Sequence, residues 1–230
     1  MTEQCRVSTK IWICAILAVI IIGGITAFAY TNSNKAVTET AQWGLKSTAA
    51  AMATEINASE VEEFAPGDEL SPRYMAIVDK LRNMRSMNDD IINAYIIKVN
   101  TTDRSMTFVI DDLYPSDPAG SAKIGEADDS PDKALIFAAL SGPTVSPHPY
   151  SDKFGSFVSA YAPIDDSANS SNGNTTAILG IDVDGQDFVN ATTQGTWIII
   201  SGIISIIIAL GAIFYFGRRA MAAEAARENK

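Results

Sequence analysis

The sequence is poor in the side chains on which most catalytic and metal sites depend. Its 230 residues include two cysteines and one histidine. Cys5 precedes the first apolar block and Cys14 lies inside it, so the long segment that follows has no disulfide and no thiol ligand. His148 stands between two prolines, with no second histidine to share a metal ion. The sequence therefore predicts no catalytic residue, no metal site and no cofactor, and we expect His148 at the surface.

Basic residues are fewer than acidic ones. The chain has 17 Lys and Arg against 27 Asp and Glu, a formal net charge of −10. Between the two long apolar blocks the imbalance is larger, with 11 basic and 24 acidic residues and a net charge of −13. So acidic a surface keeps a domain soluble and repels nucleic acid and anionic lipid headgroups. We therefore expect no nucleic-acid partner.

Two uncharged apolar blocks are the strongest signal in the sequence. They occupy residues 11–29 and 197–216, and about 20 such residues cross a bilayer core as a helix. Arg6 and Lys10 flank the first block, and Arg218 and Arg219 follow the second. Because Lys and Arg are retained on the cytoplasmic side, both termini are predicted to be cytoplasmic. The sequence thus predicts a two-pass protein of the cell membrane, with the lipid bilayer as one partner and the segment between the blocks outside.

These signals divide the chain into five parts. We expect a cytoplasmic N-terminus at 1–10, a first span at 11–30, an extracytoplasmic domain at 31–195, a second span at 196–217 and a cytoplasmic helix at 218–230. An alternative stays open for the N-terminus. Residues 27–29 read Ala-Phe-Ala, which fits a signal-peptide cleavage site, and cleavage would leave one anchor.

The outer segment changes from helical to extended periodicity. A long amphipathic helix is predicted at 36–64, and a second helix runs from Ser71-Pro72 to near Asn88. Residues 94–99 and 106–110 predict a hairpin, followed by a long loop at 111–132 and a short helix at 131–140. Two more strands, 156–164 and 176–183, are joined by a polar tip at 165–174. This order predicts an α+β fold: an antiparallel sheet of about four or five strands with helices gathered on one side.

Several fragments of the outer segment resemble those of a known family. They are FVIDD at 108–112, DP at 117–118, PYSD at 149–152, FGSFVSAYAPI at 154–164 and LGIDVD at 179–184. In this order and spacing they resemble the single Cache domain, a PAS-like extracytoplasmic sensor module of bacterial and archaeal receptors. The resemblance covers about residues 36–187. It implies a long membrane-proximal helix and a sheet whose concave face, roofed by the loop and short helix, holds a small ligand.

The tail carries a second, shorter resemblance. Residues 220–230 look like the helix that leads into the phospho-accepting dimerisation helix of sensor histidine kinases. This implies either the input region of a longer kinase or a stand-alone sensor, and the sequence leaves both open. A homodimer is expected in either case.

One acidic residue is the main candidate for ligand contact. Asp182 and Asp184 alternate with Ile181 and Val183, so the acidic pair falls on one face of a strand. If that face lines a cavity, Asp182 would pair with the ammonium group of an amine or amino acid. The alternative is that the acidic residues lie at an exposed strand end, which we expect for Asp184.

Four aromatic residues are placed by strand alternation or by the adjoining loop to line the same cavity. They are Tyr95, Phe108, Tyr150 and Tyr161. Burial in the core is the alternative for each. The five aspartates at 111, 112, 117, 128 and 129 suggest calcium, but they lack the spaced oxygen ligands and the glycine of a calcium loop.

The function expected from these features is signal reception, with an amino acid, amine or carboxylate as the small-molecule ligand. The chain as given contains no catalytic module, and a longer parent would be a sensor histidine kinase. A chemoreceptor-type protein and a surface binding protein without signalling output are the alternatives.

Overall fold

The computed structural model describes residues 3–61, 63–164, 175–193 and 195–228. The chain divides into two compact units, one formed by Met1–Val37 with Thr193–Lys230 and the other by Thr38–Thr192. The fold is α+β. Its first helix, α1, spans Glu3–Ala53 and contributes residues to both units.

The first unit pairs the early part of α1 with α6, Thr196–Glu228. Both helices are long and apolar enough to cross a membrane, and nearly all of their apolar stretches are exposed, as a lipid-facing surface would be. Glycines mark their contact: a Cβ at Gly202 would collide with Thr26, and one at Gly217 with Ile11. Small residues of this kind let two helix backbones approach closely.

The second unit begins with the last turns of α1. The single helix expected at 36–64 is wrong in its C-terminal part, because α1 ends at Ala53 and a separate short helix, α2, spans Ala58–Val61. Asn57 explains the break. Its side-chain oxygen accepts hydrogen bonds from the backbone N–H and the hydroxyl of Ser59, so it caps α2 instead of continuing α1.

The next helix and hairpin follow the sequence pattern. Helix α3, Pro72–Arg85, starts at Ser71, whose hydroxyl accepts a 3.2 Å hydrogen bond from the N–H of Tyr74. Strands β1, Ile91–Asn100, and β2, Met106–Asp111, pair antiparallel. Pro at the first helical turn and β-branched runs on either side of a polar turn were the signals for these elements.

Four further strands complete the sheet. Helix α4, Lys133–Ala139, precedes β3, Thr144–Val145, and β4, Tyr150–Ser151, which are followed by β5, Ser156–Pro163, and β6, Thr175–Asp184. The strand order is β2-β1-β6-β5-β3, with β4 also paired to β5, and every pairing is antiparallel. The two-residue strands β3 and β4 were not anticipated. The expected hairpin tip at 165–174 lies outside the described residues.

The sheet has a different layer on each face. Helices α1, α2 and α3 pack on one face, against alternate strand residues such as Ile96, Leu179 and Ile181. Helix α4 packs through Ile136 and Ala139 on the other face. The prediction that the helices gather on one side is therefore wrong for α4, because strand residues on both faces are apolar enough to bury a partner.

A short helix, α5, Gly185–Thr192, follows β6 directly. Oδ1 of Asp184 accepts hydrogen bonds from the N–H groups of Gln186, at 2.8 Å, and Asp187, at 2.9 Å. Asp184 thus caps α5. The sequence pattern did not indicate this helix.

Candidate ligand-binding site

A cavity of about 240 Å³ lies on the α4 face of the sheet. Strands β1, β2, β4, β5 and β6 contribute to its wall, together with the loop that follows β2 and the turn between β4 and β5. Four of the five residues predicted to contact ligand line it: Tyr95, Phe108, Tyr150 and Asp182.

Asp182 is held at the centre of the sheet. Its strand, β6, lies between β1 and β5, and Asp182 pairs across with Asn93 on one side and Ser159 on the other. Its side chain is buried, and Oδ1 accepts a 3.0 Å hydrogen bond from the Tyr95 hydroxyl and a 2.5 Å bond from Ser159 Oγ. Within the described part of the chain, Oδ2 has no hydrogen-bond partner. One oxygen therefore fixes the carboxylate and the other is available to a ligand.

The electrostatic environment of Asp182 disfavours a bare charge. Burial raises its pKa to about 7, and the nearby Asp152 and Asp111 act in the same direction. The hydrogen bonds from Ser159 and Tyr95 oppose this rise. A buried carboxylate with this balance is stabilised in its charged form by a cation, and no lysine or arginine is among the described residues that line the cavity.

Tyr95 reaches Asp182 because the residue opposite it has no side chain. Tyr95 pairs with Gly180 across β1 and β6. A Cβ on Gly180 would come within 3.0 Å of three atoms of the Tyr95 ring. The ring thus lies over the glycine, with its hydroxyl directed along β6 toward Asp182. The sequence fragment LGIDVD contained this glycine, but its spacing alone did not assign it a role.

Tyr150 and Tyr161 differ in position although their hydroxyls are 3.3 Å apart. Tyr150 lies in β4, is half-buried and lines the cavity, and its hydroxyl is 2.7 Å from Ser159 Oγ. Tyr161 is fully buried in the apolar cluster under α4 and does not line the cavity. Burial raises the pKa of both phenols, so both remain neutral hydrogen-bonding groups. Tyr161 therefore reaches the cavity only through Tyr150.

Aromatic side chains cover part of the cavity. Phe108 in β2 lies 5.6 Å from Tyr95 and 6.4 Å from Phe154, measured between ring centroids, and the second contact is edge-on. Lys153 lies over the Phe154 ring, 4.8 Å from its centroid, and forms an ion pair with Glu126. Phe154 and the Lys153 to Glu126 pair were not singled out from the sequence, since only the fold brings 126 and 153 together.

The loop after β2 supplies further carboxylates. Asp111 is almost fully buried, and its two oxygens accept hydrogen bonds from the N–H groups of Leu113, at 3.0 Å, and Ala122, at 2.8 Å. Burial raises its pKa to about 6, against the lowering effect of these N–H groups. Asp117, Asp128 and Asp152 also line the cavity. The wall is therefore rich in hydrogen-bond acceptors and negative charge.

Metal-ligand geometry is not formed by these residues. In the ranges that the structure describes, no three His, Cys, Asp or Glu side chains come together as a metal ion would require. Asp112 faces away from the cavity and pairs with Arg85. His148 is exposed.

Comparisons with known proteins add little to this geometry. No protein family matches the sequence, and no curated protein matches it. Among solved structures, the chain is similar to the extracellular domain of the candidate histidine kinase mmHK1S-Z2, with 16% sequence identity and a TM-score of 0.36. The match covers 68% of this chain and 61% of the other, so the chain spans about three fifths of the length of that domain. A likeness at this level carries no inference about ligand or activity.

Proposed function

We propose that this protein is a membrane-anchored extracytoplasmic sensor of the single Cache type, which binds a small molecule carrying an ammonium group and transmits its presence across the bilayer. The input region of a two-component histidine kinase is the role that fits it best. The observation that carries the proposal is a cavity lined by the buried Asp182, whose described hydrogen bonds both end on Oδ1.

The wall of the cavity selects the chemistry of the ligand. Asp182 and Asp111 are buried carboxylates, and Asn93 Oδ1 is a buried acceptor without a partner. These groups call for a ligand that donates hydrogen bonds and carries positive charge. A simple carboxylate would meet like charge, which disfavours the carboxylate class among the ligands expected from the sequence.

Chain connectivity offers a route for the signal. Asp182 lies near the end of β6, Asp184 caps α5, and α6 begins at Thr196 shortly after α5 ends at Thr192. A ligand shifts a receptor only if it binds two conformations unequally. A ligand that draws Tyr95 and Asp182 together would change the end of β6, and hence the start of α5.

The membrane part of the proposal follows from two features. The structure contains two helices long and apolar enough to cross a membrane, and basic residues flank the ends of their apolar blocks that are remote from the acidic domain, Arg6 and Lys10 at the first and Arg218 and Arg219 at the second. The positive-inside rule then puts the acidic domain outside the cell.

Binding is tested on the full chain in lipid nanodiscs by thermal unfolding. Compounds are supplied as matched sets of amines, amino acids and simple carboxylates. We expect ammonium compounds to raise the unfolding temperature by mass action and simple carboxylates to leave it unchanged. Asp182→Asn should abolish the shift, whereas Asp89→Asn, an exposed residue that does not line this cavity, should retain it. No shift with any ammonium compound would overturn the proposal.

Transmission needs a separate readout. In a chain with Cys5 and Cys14 replaced by serine, Ala226→Cys places a single thiol on an exposed position of α6. If the protein is a homodimeric sensor, we expect a disulfide to form between the thiols of two copies. Its rate of formation should change when an amine that binds is added. Binding without any change in that rate would instead favour a surface binding protein that has no signalling output.

A further inference from the structure

A second cavity of about 210 Å³ adjoins the first. The two cavities share five lining residues: Phe108, Asp128, Ser130, Asp152 and Phe154. Asp182 lines only the first. The two cavities are therefore neighbouring parts of one space, with Asp182 on the wall of the first and the shared aspartates on the walls of both.

The shared aspartates form a second negative centre. Asp128 is buried, and its Oδ1 accepts a 2.8 Å hydrogen bond from the N–H of Ser130. Oδ1 of Asp152 accepts from the N–H groups of Phe154, at 2.7 Å, and Gly155, at 3.2 Å. Asp152 is close enough to Asp128 to raise the pKa of that carboxyl, behind the larger effect of burial.

Neither carboxylate is neutralised by the protein. Within the described ranges no ion pair involves Asp128 or Asp152, and the neighbouring Lys153 is paired with Glu126. Part of the wall of both cavities is apolar, because Phe108 and Phe154, which meet edge-on, line each of them. Aromatic faces of this kind pack well against a methylene chain.

We propose that the ligand is a linear diamine, with one ammonium group at Asp182, the other at Asp128 and Asp152, and its methylene chain against Phe108 and Phe154. This inference rests on the proposed function and narrows its ligand class. Asp182 alone would accept any amine. The second centre distinguishes molecules with a cation at each end.

Two other ligand chemistries fit the second centre less well. An amino acid would bring its own carboxylate toward Asp128 and Asp152, and Lys153, the basic residue among the described lining of the second cavity, is already paired with Glu126. A calcium ion needs about six to eight oxygen ligands, and the described residues bring no three acidic side chains together in metal-binding geometry. A second ammonium group needs only one or two acceptors.

Three probes of similar length test the inference on the full chain in nanodiscs: butylamine, diaminobutane and aminobutanoate. We expect diaminobutane to bind about tenfold more tightly than butylamine, the value of one additional ion pair of about 1.4 kcal/mol. Aminobutanoate should bind more weakly than butylamine, because its carboxylate meets the second centre.

Asp152→Asn assigns the preference to that centre. The asparagine Oδ1 can still accept from the N–H groups of Phe154 and Gly155, so the turn is preserved while the charge is removed. The dissociation constant of butylamine divided by that of diaminobutane should fall several-fold in Asp152→Asn and stay unchanged in Asp89→Asn.

The possible failures are distinguishable. Equal affinity for butylamine and diaminobutane would overturn the diamine assignment, and so would an unchanged ratio of their dissociation constants in Asp152→Asn. Neither result would contradict the proposed function as a sensor of amines. Tightest binding of aminobutanoate also overturns it, in favour of an amino acid. If no ammonium probe binds, both the diamine assignment and the proposed function fall.

Discussion

Ser159 Oγ donates a 2.5 Å hydrogen bond to Oδ1 of Asp182, its direct partner across β5 and β6. Tyr95 donates to the same oxygen from β1, the strand on the other side. Three neighbouring strands of the sheet therefore meet at one buried carboxylate. Two hydroxyl groups, and no cation, hold this carboxylate, so its orientation is fixed but its negative charge has no partner when it ionises. Its protonation therefore affects the stability of the fold, and this effect can be measured.

The first prediction concerns pH. The pKa of Asp182 rises from an ordinary 3.8 to about 7 on folding, mainly through burial. Between these values the folded protein holds a proton that the unfolded chain has released, so the free energy of unfolding falls as pH rises through this window. We expect the unliganded protein to unfold at a higher temperature at pH 5 than at pH 8.

Asp182→Asn supplies the control for this pH effect. Its neutral side chain has no such proton to release, so the difference in unfolding temperature between pH 5 and pH 8 should shrink. A remainder is expected from Asp111, whose pKa burial raises to about 6. An identical pH profile in wild type and Asp182→Asn would contradict the assignment.

The second prediction concerns the ion pair between Arg85 and Asp112. Asp112 is fully buried; its Oδ1 accepts a 3.1 Å bond from the N–H of Ala94 and its Oδ2 accepts from Arg85 Nε. Removing Arg85 takes away the ion-pair partner of this buried carboxylate and leaves the nearby Arg82 to balance its charge, which costs up to about 3 kcal/mol. We expect Arg85→Met to lower the free energy of unfolding by about this amount at pH 8 in chemical denaturation.

A matched exposed pair is available on the same helix. Arg73 pairs with Glu63, and these side chains are 49% and 67% exposed. Arg73→Met should therefore cost less than about 1 kcal/mol. If the two variants lost equal amounts of unfolding free energy, the buried pair with Asp112 would stabilise the fold no more than an exposed pair does.

The third prediction concerns Gly180. A Cβ at this position overlaps the Tyr95 ring, so Gly180→Ala should displace the ring and move its hydroxyl away from Asp182. Overpacking of this kind costs about 1–3 kcal/mol. Binding of amines should weaken as well, because Tyr95 lines the cavity.

Gly44→Ala is the control for that substitution. Nothing lies within 4 Å of a Cβ at Gly44, which is in the interior of α1. Alanine there should leave stability unchanged or raise it by up to about 1 kcal/mol, because glycine is a poor helix former. If Gly180→Ala bound amines as the wild type does, we would conclude that the position of the Tyr95 ring does not matter for ligand binding.

The sequence was informative where structure is set by local periodicity. The alternation of apolar and acidic residues at 181–184 predicted that Asp182 and Ile181 lie on opposite faces of the strand. In the structure Asp182 lines the cavity and Ile181 lies in the core on the other face of the sheet. The proline and serine at the start of α3 predicted its first turn. Both features depend on residues a few positions apart, so a single sequence contains them.

Other features arise from contacts between distant residues, and no local pattern encodes them. Asp111 belongs to the site because its carboxylate accepts the N–H of Ala122, eleven positions later, and folds the loop over the sheet. Helix α4 was predicted as an element, but which face it covers depends on the apolar balance of the whole sheet. Tyr161 is on a strand beside the site, yet only the packing of α4 decides that it is core.

The last prediction concerns membrane topology. The domain between the two apolar blocks has no cysteine, so a thiol introduced there is unique once Cys5 and Cys14 are replaced by serine. Thr102 is exposed in the turn between β1 and β2. We expect Thr102→Cys to react with a membrane-impermeant maleimide in intact cells, because the positive-inside rule predicts that the acidic domain faces outward. Ala226→Cys, exposed near the end of α6, should react only after the cells are opened. The reverse pattern would place the cavity in the cytoplasm, where it could not report on molecules outside the cell. If both positions were labelled in intact cells, they would lie on the same side of the membrane, and α6 would not cross it.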